Sequence, residues 1–314
     1  MKGFGESNKN KKKIRKIFAP HSKEQIANLA IKFHAEGNIF EAKKYYQYFI
    51  NQGFKDERIF SNYGSILKGL KKLKEAELYF RKSIEFNPNY AFAYSNLGSI
   101  LRDLDKLKEA ESYTLKAIKL NPDFADAHSN LGLIMRDLGK LKEAELHTLK
   151  AIQINPNFAE AHSNLGLILR DLVKLKEAEL HTLKAIKLNP NFSEAHSNLG
   201  LILRDLVKLN EAEFHTLKAI KLNPDFAEAH SNLGLIKKDL GKLNEAEFHT
   251  LKAIKLNPDF AEAHSNLGLI MKDLGKLNEA EFHTLKAIKL NPDFAEAHSN
   301  LGSILIDLGR LREA

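Results

Sequence analysis

The segment "AEAHSNLGLIKKDLGKLNEAEFHTLKAIKLNPDF", residues 227–260, decides the fold because it recurs along the chain. The next segment, 261–294, differs from it at one position only, where Met271 replaces Lys237. Prolines stand at positions 88, 122, 156, 190, 224, 258 and 292, each 34 residues after the last. A period of this length predicts a stack of supersecondary units, in which each repeat buries its apolar face against its neighbours.

Each repeat predicts two helices. If positions 1–34 are numbered so that the proline is position 32, positions 3, 4, 7, 8, 10, 11 and 14 fall on one side of a first helix. The second helix of repeat 193–226, "LNEAEFHTLKAIKLN", ends before Pro224 because the residue before a proline avoids helical backbone. Position 15 begins the turn between the helices and is glycine in four of the repeats after 23–56, at Gly139, Gly241, Gly275 and Gly309. Val173 and Val207 occupy it in two others, and positive φ is not expected to suit valine.

Small residues recur where the two helices must approach closely, as at Gly200, Ala212 and Ala219 (positions 8, 20 and 27). Together with Leu199 and Pro224 they make the repeat similar to that of the tetratricopeptide repeat family. The resemblance implies an all-α fold, a right-handed superhelical solenoid of antiparallel helix pairs. It covers residues 23–314, divided into a degenerate repeat 23–56, the repeats 57–90, 91–124, 125–158, 159–192, 193–226, 227–260 and 261–294, and an incomplete repeat 295–314.

Two departures from the family pattern concern the core. The family's aromatic residue at position 4 becomes histidine from His128 onward, and its aromatic at position 24 survives as Phe80 but is threonine later. We therefore expect leaner cores in the later repeats. Lys237 stands at position 11, which is normally buried, so we expect it to snorkel outward or to loosen the array locally.

Composition narrows the function classes. The chain has no cysteine. Residues 1–22 contain seven basic residues and one acidic residue, so they carry +6 of the net charge of +8, and the rest of the chain carries only +2. Residues 1–22 are interpreted as a basic, disordered leader, with contact to an anionic partner or membrane surface as the alternative. The nearly neutral body and the period of 34 argue against an RNA-reading array and nucleic-acid binding. No signal sequence or apolar membrane span is present, which predicts a cytoplasmic protein.

Positions 2, 5, 6, 9, 12 and 13 fall on the opposite side of the first helix, which in tetratricopeptide superhelices lines the concave surface. Position 6 is asparagine in all eight repeats from residue 57 onward: Asn62, Asn96, Asn130, Asn164, Asn198, Asn232, Asn266 and Asn300. An asparagine amide can pair with a peptide backbone, and with first helices ~10 Å apart one amide would meet about every third residue of an extended peptide. The superhelical arm of O-linked N-acetylglucosamine transferases is similar, with an asparagine ladder that grips extended polypeptide. The alternative is that each asparagine caps a helix or bridges neighbouring repeats.

Position 9 adds an apolar stripe among polar neighbours, formed by Leu133, Leu167, Leu201, Leu235 and Leu269. Such a stripe is typical of a binding site, and we predict an apolar groove flanked by Arg170 and Arg204 together with Asp171 and Asp205. The alternatives are that each leucine packs against the adjacent repeat and that the charges form salt bridges between repeats.

The remaining polar residues predict neither catalysis nor a metal. Eleven of the thirteen histidines stand at positions 4 and 23, in register, and are interpreted as packed imidazoles. Catalysis requires one asymmetric constellation, whereas every polar motif here is copied many times, so we predict no enzyme and no cofactor.

The predicted function is a non-catalytic protein-interaction scaffold that binds an extended peptide or partner segment, and a homo-oligomer is left open. Because the chain stops at Ala314, inside a repeat, the alternative is the substrate-recruiting N-terminal arm of a larger transferase. Its catalytic domain, a glycosyltransferase or a sulfotransferase, would lie beyond residue 314.

Overall fold

The computed structural model describes residues 22–312, which contain α-helices and no β-strand. The first helices of the repeats are α1 (Lys23–Ala35), α3 (Glu57–Gly69), α5 (Ala91–Asp103), α7 (Ala125–Asp137), α9 (Ala159–Asp171), α11 (Ser193–Asp205), α13 (Ala227–Asp239), α15 (Ala261–Asp273) and α17 (Ala295–Asp307). The second helices are α2 (Ile39–Asn51), α4 (Leu73–Phe86), α6 (Leu107–Leu120), α8 (Leu141–Ile154), α10 (Leu175–Leu188), α12 (Leu209–Leu222), α14 (Leu243–Leu256) and α16 (Leu277–Leu290). The all-α repeat fold is confirmed.

The chain divides into two compact units, with the boundary between Leu138 and Gly139. In each unit every helix packs against the next, and each first helix also packs against the first helix of the following repeat. Within the described part of either unit, no second helix packs against another second helix. The first helices therefore form a continuous layer in each unit, and the second helices stand apart on its other side. Residues 1–21 of the predicted leader lie outside the described residues, and Ser22 lies within them. Residues 313 and 314 also lie outside the described residues.

The turn from first to second helix adopts positive φ at position 15, whatever residue stands there. The glycines at 139, 241, 275 and 309 have φ of 73° to 76°, and Val173 and Val207 have φ of 61° and 60°. The expectation that valine would not suit positive φ is overridden by backbone hydrogen bonds. The N–H of Val173 donates to the carbonyl of Arg170 at 2.9 Å, and that of Lys174 to the carbonyl of Leu169 at 2.8 Å. These bonds hold a backbone conformation that costs a non-glycine residue about 1–2 kcal/mol.

The turn between repeats is built by asparagine and proline. In repeat 193–226 the Asn223 side chain accepts a hydrogen bond from the N–H of Asp225 at 3.3 Å, and the carbonyl of Asn223 accepts one from Phe226 at 3.2 Å. Pro224 lies between them, where its fixed φ favours a turn. The second helix therefore ends at Leu222, as the sequence predicts.

Glycine at position 8 and threonine at position 24 bring the two helices of a repeat into close contact. A Cβ atom placed on Gly200 would lie 2.0 Å from Oγ1 of Thr216, which itself donates to the carbonyl of Ala212 at 2.8 Å. In repeat 57–90 the Phe80 ring takes the place of the threonine, 3.0 Å from a Cβ on Gly64. Threonine thus replaces the family's aromatic residue by a smaller group, which is fully buried.

Lys237 does not snorkel outward, so the first of the two expectations for this residue was wrong, and local loosening of the array stays a prediction. The residue is 5% exposed, and its Nζ donates to Oε1 of Glu213 at 2.7 Å and also to Glu245. Burial alone would lower the pKa of Lys237, but the bonds to the two carboxylates raise it above its ordinary value. The ammonium group is thus buried as a charged, paired group.

Candidate peptide-binding face

The candidate site is the side of the first helices that carries positions 2, 5, 6, 9, 12 and 13, called here the first-helix face. Because first helices pack side by side within each unit, residues at one position form a row along it. None of the helices in residues 22–312 is long and apolar enough to cross a bilayer.

The asparagine row is joined to a serine row at position 5. In the second unit four asparagines donate from Nδ2 over 3.0 Å to the serine Oγ of the preceding repeat, in the pairs Asn198–Ser163, Asn232–Ser197, Asn266–Ser231 and Asn300–Ser265. Asn130 makes the same bond to Ser95 in the first unit. These bonds are the inter-repeat bridges of the alternative interpretation. They give asparagine a structural reason to recur, so its recurrence alone does not argue for ligand binding.

The bridge uses only part of each amide. Within residues 22–312, the second N–H and the Oδ1 of Asn198 and Asn232 have no hydrogen-bond partner, and both side chains are half-buried. Asn96 and Asn164 stand in the same register. Asn62 instead hydrogen-bonds the hydroxyl of Tyr46, whose pKa burial raises to about 12. The bridged amides are held in one orientation and keep capacity to donate and to accept one more bond each.

The five leucines at position 9 (Leu133, Leu167, Leu201, Leu235 and Leu269) are half-buried rather than fully exposed. Each therefore presents part of its side chain at the face. Toward the ends serine replaces leucine, and a lysine from the preceding repeat reaches it: Lys68 donates to Ser99, and Lys272 to Ser303 at 2.5 Å. The leucines of the face are thus confined to the repeats from 125 to 294.

The basic residues of the face pair with aspartates of the next repeat. Arg170 Nε donates to Asp205 Oδ2 at 2.5 Å, and Arg204 Nε to Asp239 Oδ2 at the same distance. The same pairing recurs in Lys68–Asp103, Arg102–Asp137, Lys238–Asp273 and Lys272–Asp307, at 2.7 to 3.4 Å. Arg170 and Arg204 thus form the salt bridges between repeats that the sequence analysis gives as the alternative, and their flanking of a groove stays a prediction. Their guanidinium groups are committed to salt bridges between repeats, which leave positions 12 and 13 of the face close to neutral.

An acidic row follows one edge of the face, at position 2 of the first helices. Its exposed members in the second unit are Glu160, Glu194, Glu228, Glu262 and Glu296. Glu194 accepts a hydrogen bond from Ser193, but no carboxylate of this row forms a salt bridge with any residue of the described range. Carboxylates in the first turn of a helix interact favourably with the helix dipole. They also give this edge of the face a negative electrostatic potential.

The histidines are packed between the helices of a repeat. Nε2 of His230 lies 3.3 Å from the carbonyl of Pro224, and its Nδ1 lies 3.2 Å from Nδ1 of His249. The carbonyl can only accept, so Nε2 of His230 carries the proton and its Nδ1 accepts from His249. The pairs His162–His181, His196–His215 and His264–His283 repeat this arrangement at 3.0 to 3.1 Å. Tyr94 and Tyr113 fill the same two positions in repeat 91–124.

Burial sets the titration of these pairs. It lowers the pKa of His230 below its ordinary value, and it lowers the pKa of His249 to about 4, with help from the nearby charges of His230 and Lys237. Both rings are thus neutral near pH 7. No group of three or more histidine or acidic side chains in the described residues is arranged to hold a metal ion.

Comparison with known sequences identifies the family. Profiles described as tetratricopeptide repeat match residues 57–90, 91–124, 113–145, 159–192, 193–226, 227–260, 261–294 and 283–314, and one described as TPR repeat matches 132–172. The chain belongs to the tetratricopeptide repeat family. No curated protein matches it. The resemblance to O-linked N-acetylglucosamine transferases in particular stays a prediction.

Two solved structures share the fold of this tetratricopeptide array, and a third is similar in sequence. A chain of the APC/C hetero-tetramer Cut9–Hcn1 is 15% identical with a TM-score of 0.73, over 90% of this chain and 56% of that one. PilF of Pseudomonas aeruginosa is 21% identical with a TM-score of 0.52, over 68% of this chain and 97% of that one. YrrB, a TPR protein described as having an unusual peptide-binding site, is 28% identical with a TM-score of 0.41, over 59% of this chain and 95% of that one. This chain therefore spans just over half of the Cut9–Hcn1 chain.

Sequence reasoning missed two features of the array. One is the register of the salt bridges, which join residues 35 apart, as in Arg170–Asp205. A basic residue followed by aspartate in successive repeats was the available signal. The other is the outward side of the second helices, where position 22 exposes Phe214, Phe248 and Phe282. The apolar pair three residues apart in "FHTL" was its signal.

Proposed function

We propose that this tetratricopeptide array is a non-catalytic scaffold whose first-helix face binds an extended peptide. The observation that carries the proposal is the combination of rows on that face: oriented amides with unused hydrogen-bonding capacity beside half-exposed leucines. Asn198 and Asn232 are held by their serine bridges, so they would lose little side-chain entropy on binding.

The amides suit the main chain of the ligand. An extended peptide advances ~3.3 Å per residue and neighbouring first helices are spaced ~10 Å, so one amide would serve about every third residue. Each amide would accept a peptide N–H through Oδ1 and donate its second N–H to a peptide carbonyl. Such bonds do not depend on the ligand's side chains, which is also how the similar asparagine ladder of O-linked N-acetylglucosamine transferase arms is thought to act.

Side-chain preference would come from the other rows. The leucines at position 9 favour apolar ligand residues, because burying their exposed parts removes apolar surface from water. The salt bridges of Arg170 and Arg204 neutralise one side of the face, and the acidic row at position 2 lines the other. The ligand that fits is thus an extended segment with apolar residues along one side and lysines or arginines along the acidic edge.

The test is a pulldown from an extended-peptide library, followed by fluorescence anisotropy with the selected peptide. We expect Asn198→Ala combined with Asn232→Ala to weaken binding roughly tenfold or more, as the loss of two hydrogen bonds predicts. The matched control replaces the bridging partners, Ser163→Ala with Ser197→Ala. It removes the same inter-repeat bonds but keeps both amides.

The control separates binding from stability. If the amides bind the ligand, the serine variant keeps most of the affinity while losing as much stability as the asparagine variant. Equal loss of affinity in both variants would assign the asparagines to repeat packing alone. Unchanged affinity in the asparagine variant, at unchanged helicity, would refute the ladder. Recruitment of substrate for a transferase domain beyond residue 314 stays a prediction, since no observation on these residues favours it.

A further inference from the structure

The second helices of the second unit expose large apolar side chains on their outward side. Positions 22 and 25 pair Leu146 with Leu149, Leu180 with Leu183, Phe214 with Leu217, Phe248 with Leu251 and Phe282 with Leu285. The residues at position 22 are 65–67% exposed and those at position 25 are 42–46% exposed. We call these ten residues the outer apolar ladder. Three residues apart on a helix, the two members of each pair lie on the same face.

Packing within the array does not explain the ladder. The interior of each repeat is already filled by other positions, such as the fully buried Ala212, Thr216 and Ala219 of α12. Second helices do not pack against one another within the unit, so the ladder contacts no neighbouring second helix. In α6 the residue at position 22 is Ser112, and it is exposed. The fold therefore accepts a polar residue at this position.

The charges are segregated along α12, α14 and α16, where position 18 is asparagine, whereas α8 and α10 carry an exposed lysine there, Lys142 or Lys176. Exposed glutamates stand at position 19 near the helix start, as Glu177, Glu211 and Glu279 do. Lysines stand at positions 26 and 29 near the helix end: Lys184, Lys187, Lys218, Lys221, Lys252, Lys255, Lys286 and Lys289. Within residues 22–312 none of these lysines forms a salt bridge, in contrast to the paired charges of the first-helix face. The outward surface of α12, α14 and α16 is thus acidic, then apolar, then basic.

The outward surface of such a helix is complementary to the same surface of a second copy that runs in the opposite direction. An identical helix lying antiparallel would place its lysines against the glutamates and its apolar pair against the apolar pair. Segregated charge also suits the helix dipole, but the dipole does not account for an exposed phenylalanine between the charges. A two-fold axis that lies in the interface and runs perpendicular to the helices places the same patch of two copies face to face with their helices antiparallel, which is the arrangement that this order requires.

The exposed area is sufficient for a stable dimer. With about 200 Å² of surface for a whole phenylalanine or leucine side chain, each repeat of the ladder exposes roughly 200 Å² of apolar surface. Four neighbouring repeats reach about 800 Å² per copy, the usual contribution of one partner to a specific interface. This exposed apolar area of about 800 Å² also exceeds the largest apolar patch of a typical monomer, which is about 300–600 Å².

We propose that the outer apolar ladder is the interface of a two-fold symmetric homodimer, in which second helices of two copies pack antiparallel. Phe214, Phe248 and Phe282 form its centre, and the lysine and glutamate rows of the two copies form its rim. The interface uses the second helices, so it leaves the first-helix face of both copies available.

Sedimentation equilibrium of the full chain, from about 1 to 100 μM, tests the proposal. The parent is expected to be a dimer over most of this range. Phe214→Ser combined with Phe248→Ser and Phe282→Ser is expected to raise the dissociation constant at least 100-fold. Serine is compatible with the fold because Ser112 occupies the same position, and circular dichroism confirms unchanged helicity.

Charge reversal tests the antiparallel arrangement separately. Lys218→Glu with Lys286→Glu is expected to weaken the dimer roughly tenfold, and adding Glu211→Lys with Glu279→Lys is expected to restore it. A second reversal that fails to restore the dimer would overturn the arrangement.

Three results would overturn the interface itself. They are a monomeric parent at 100 μM, a phenylalanine-to-serine variant that stays dimeric, and a monomeric parent that sediments with phosphatidylserine vesicles through its phenylalanines. The last result would assign the ladder to a membrane surface.

Discussion

Exchanging Lys237 for methionine tests how the array tolerates a buried charge. The neighbouring repeat carries Met271 at the same position, and the two residues are equally buried, at 5% and 6% exposure. The other 33 positions of repeats 227–260 and 261–294 are identical. The reverse exchange, Met271→Lys, is therefore a control within the same chain.

The magnitude follows from the partners of Lys237. Burying an ammonium group costs several kcal/mol even after relaxation of the protein. Its bonds to Glu213 and Glu245 offset this cost only in part, because the two side chains are 18% and 55% exposed and the attraction is screened by solvent. Glu213 keeps its bond to Lys242, at 3.2 Å, when Lys237 is removed, so no carboxylate is left buried and unpaired. We expect Lys237→Met to raise the free energy of unfolding by about 1 kcal/mol.

Urea denaturation followed by circular dichroism measures this change in the free energy of unfolding. Because repeat arrays need not unfold in one step, amide hydrogen exchange of α13 is measured as well, to show that the change occurs in this repeat. Met271→Lys is expected to cost about the same free energy, with Glu247 and Glu279 as partners for the new lysine. If Lys237→Met lowers the denaturation midpoint, the bridge outweighs the dehydration of the ammonium, and the reasoning fails. A neutral Met271→Lys would show that the site does not penalise charge.

Three further exchanges test the turn, the helix contact and the histidine pairs. Val173→Gly is expected to raise the free energy of unfolding by about 1 kcal/mol, because it relieves positive φ, and a lower thermal midpoint would contradict this. Gly200→Ala is expected to cost about 2 kcal/mol, because its Cβ would lie 2.0 Å from Oγ1 of Thr216. Combining Gly200→Ala with Thr216→Ala should recover part of the lost stability, and no recovery would show that the clash involves other atoms. Folding lowers the pKa of His230 and of His249 below the ordinary histidine value of about 6.5. Below that pH the unfolded chain therefore binds more protons than the folded chain. We expect stability to fall as the pH is lowered from about 6.5 toward 4, where His249 titrates. Tyrosine at both positions should reduce the pH dependence of urea midpoints between about pH 7.5 and 5 by the share of this one pair, since the other pairs remain, and an unchanged slope would refute the assignment.

The fold could be predicted because its signal is repeated. The 34-residue period, Pro224 at the end of a second helix and Gly200 at the helix contact each follow from local sterics that a sequence shows directly. Positive φ at Val173 could not be predicted, because backbone hydrogen bonds of the whole turn outweigh the preference of one residue.

The candidate site could be predicted in outline but not in its bonds. Helical periodicity places Asn198 and Arg204 on the same face, but it does not fix the offset between neighbouring repeats. That offset brings Asn198 to Ser163 and Arg204 to Asp239, and it arises from the packing of one first helix on the next. The partners of Lys237 depend on the same offset, because Glu213 belongs to the preceding repeat.

The central claim is that the first-helix face holds an extended peptide by its main chain. Amide hydrogen exchange of a library-selected peptide, measured while it is bound, tests this claim most directly. The account predicts protected peptide N–H groups at about every third residue, and loss of that protection in the variant carrying Asn198→Ala and Asn232→Ala. Continuous protection typical of a bound helix, or the same protection in that variant, would contradict it.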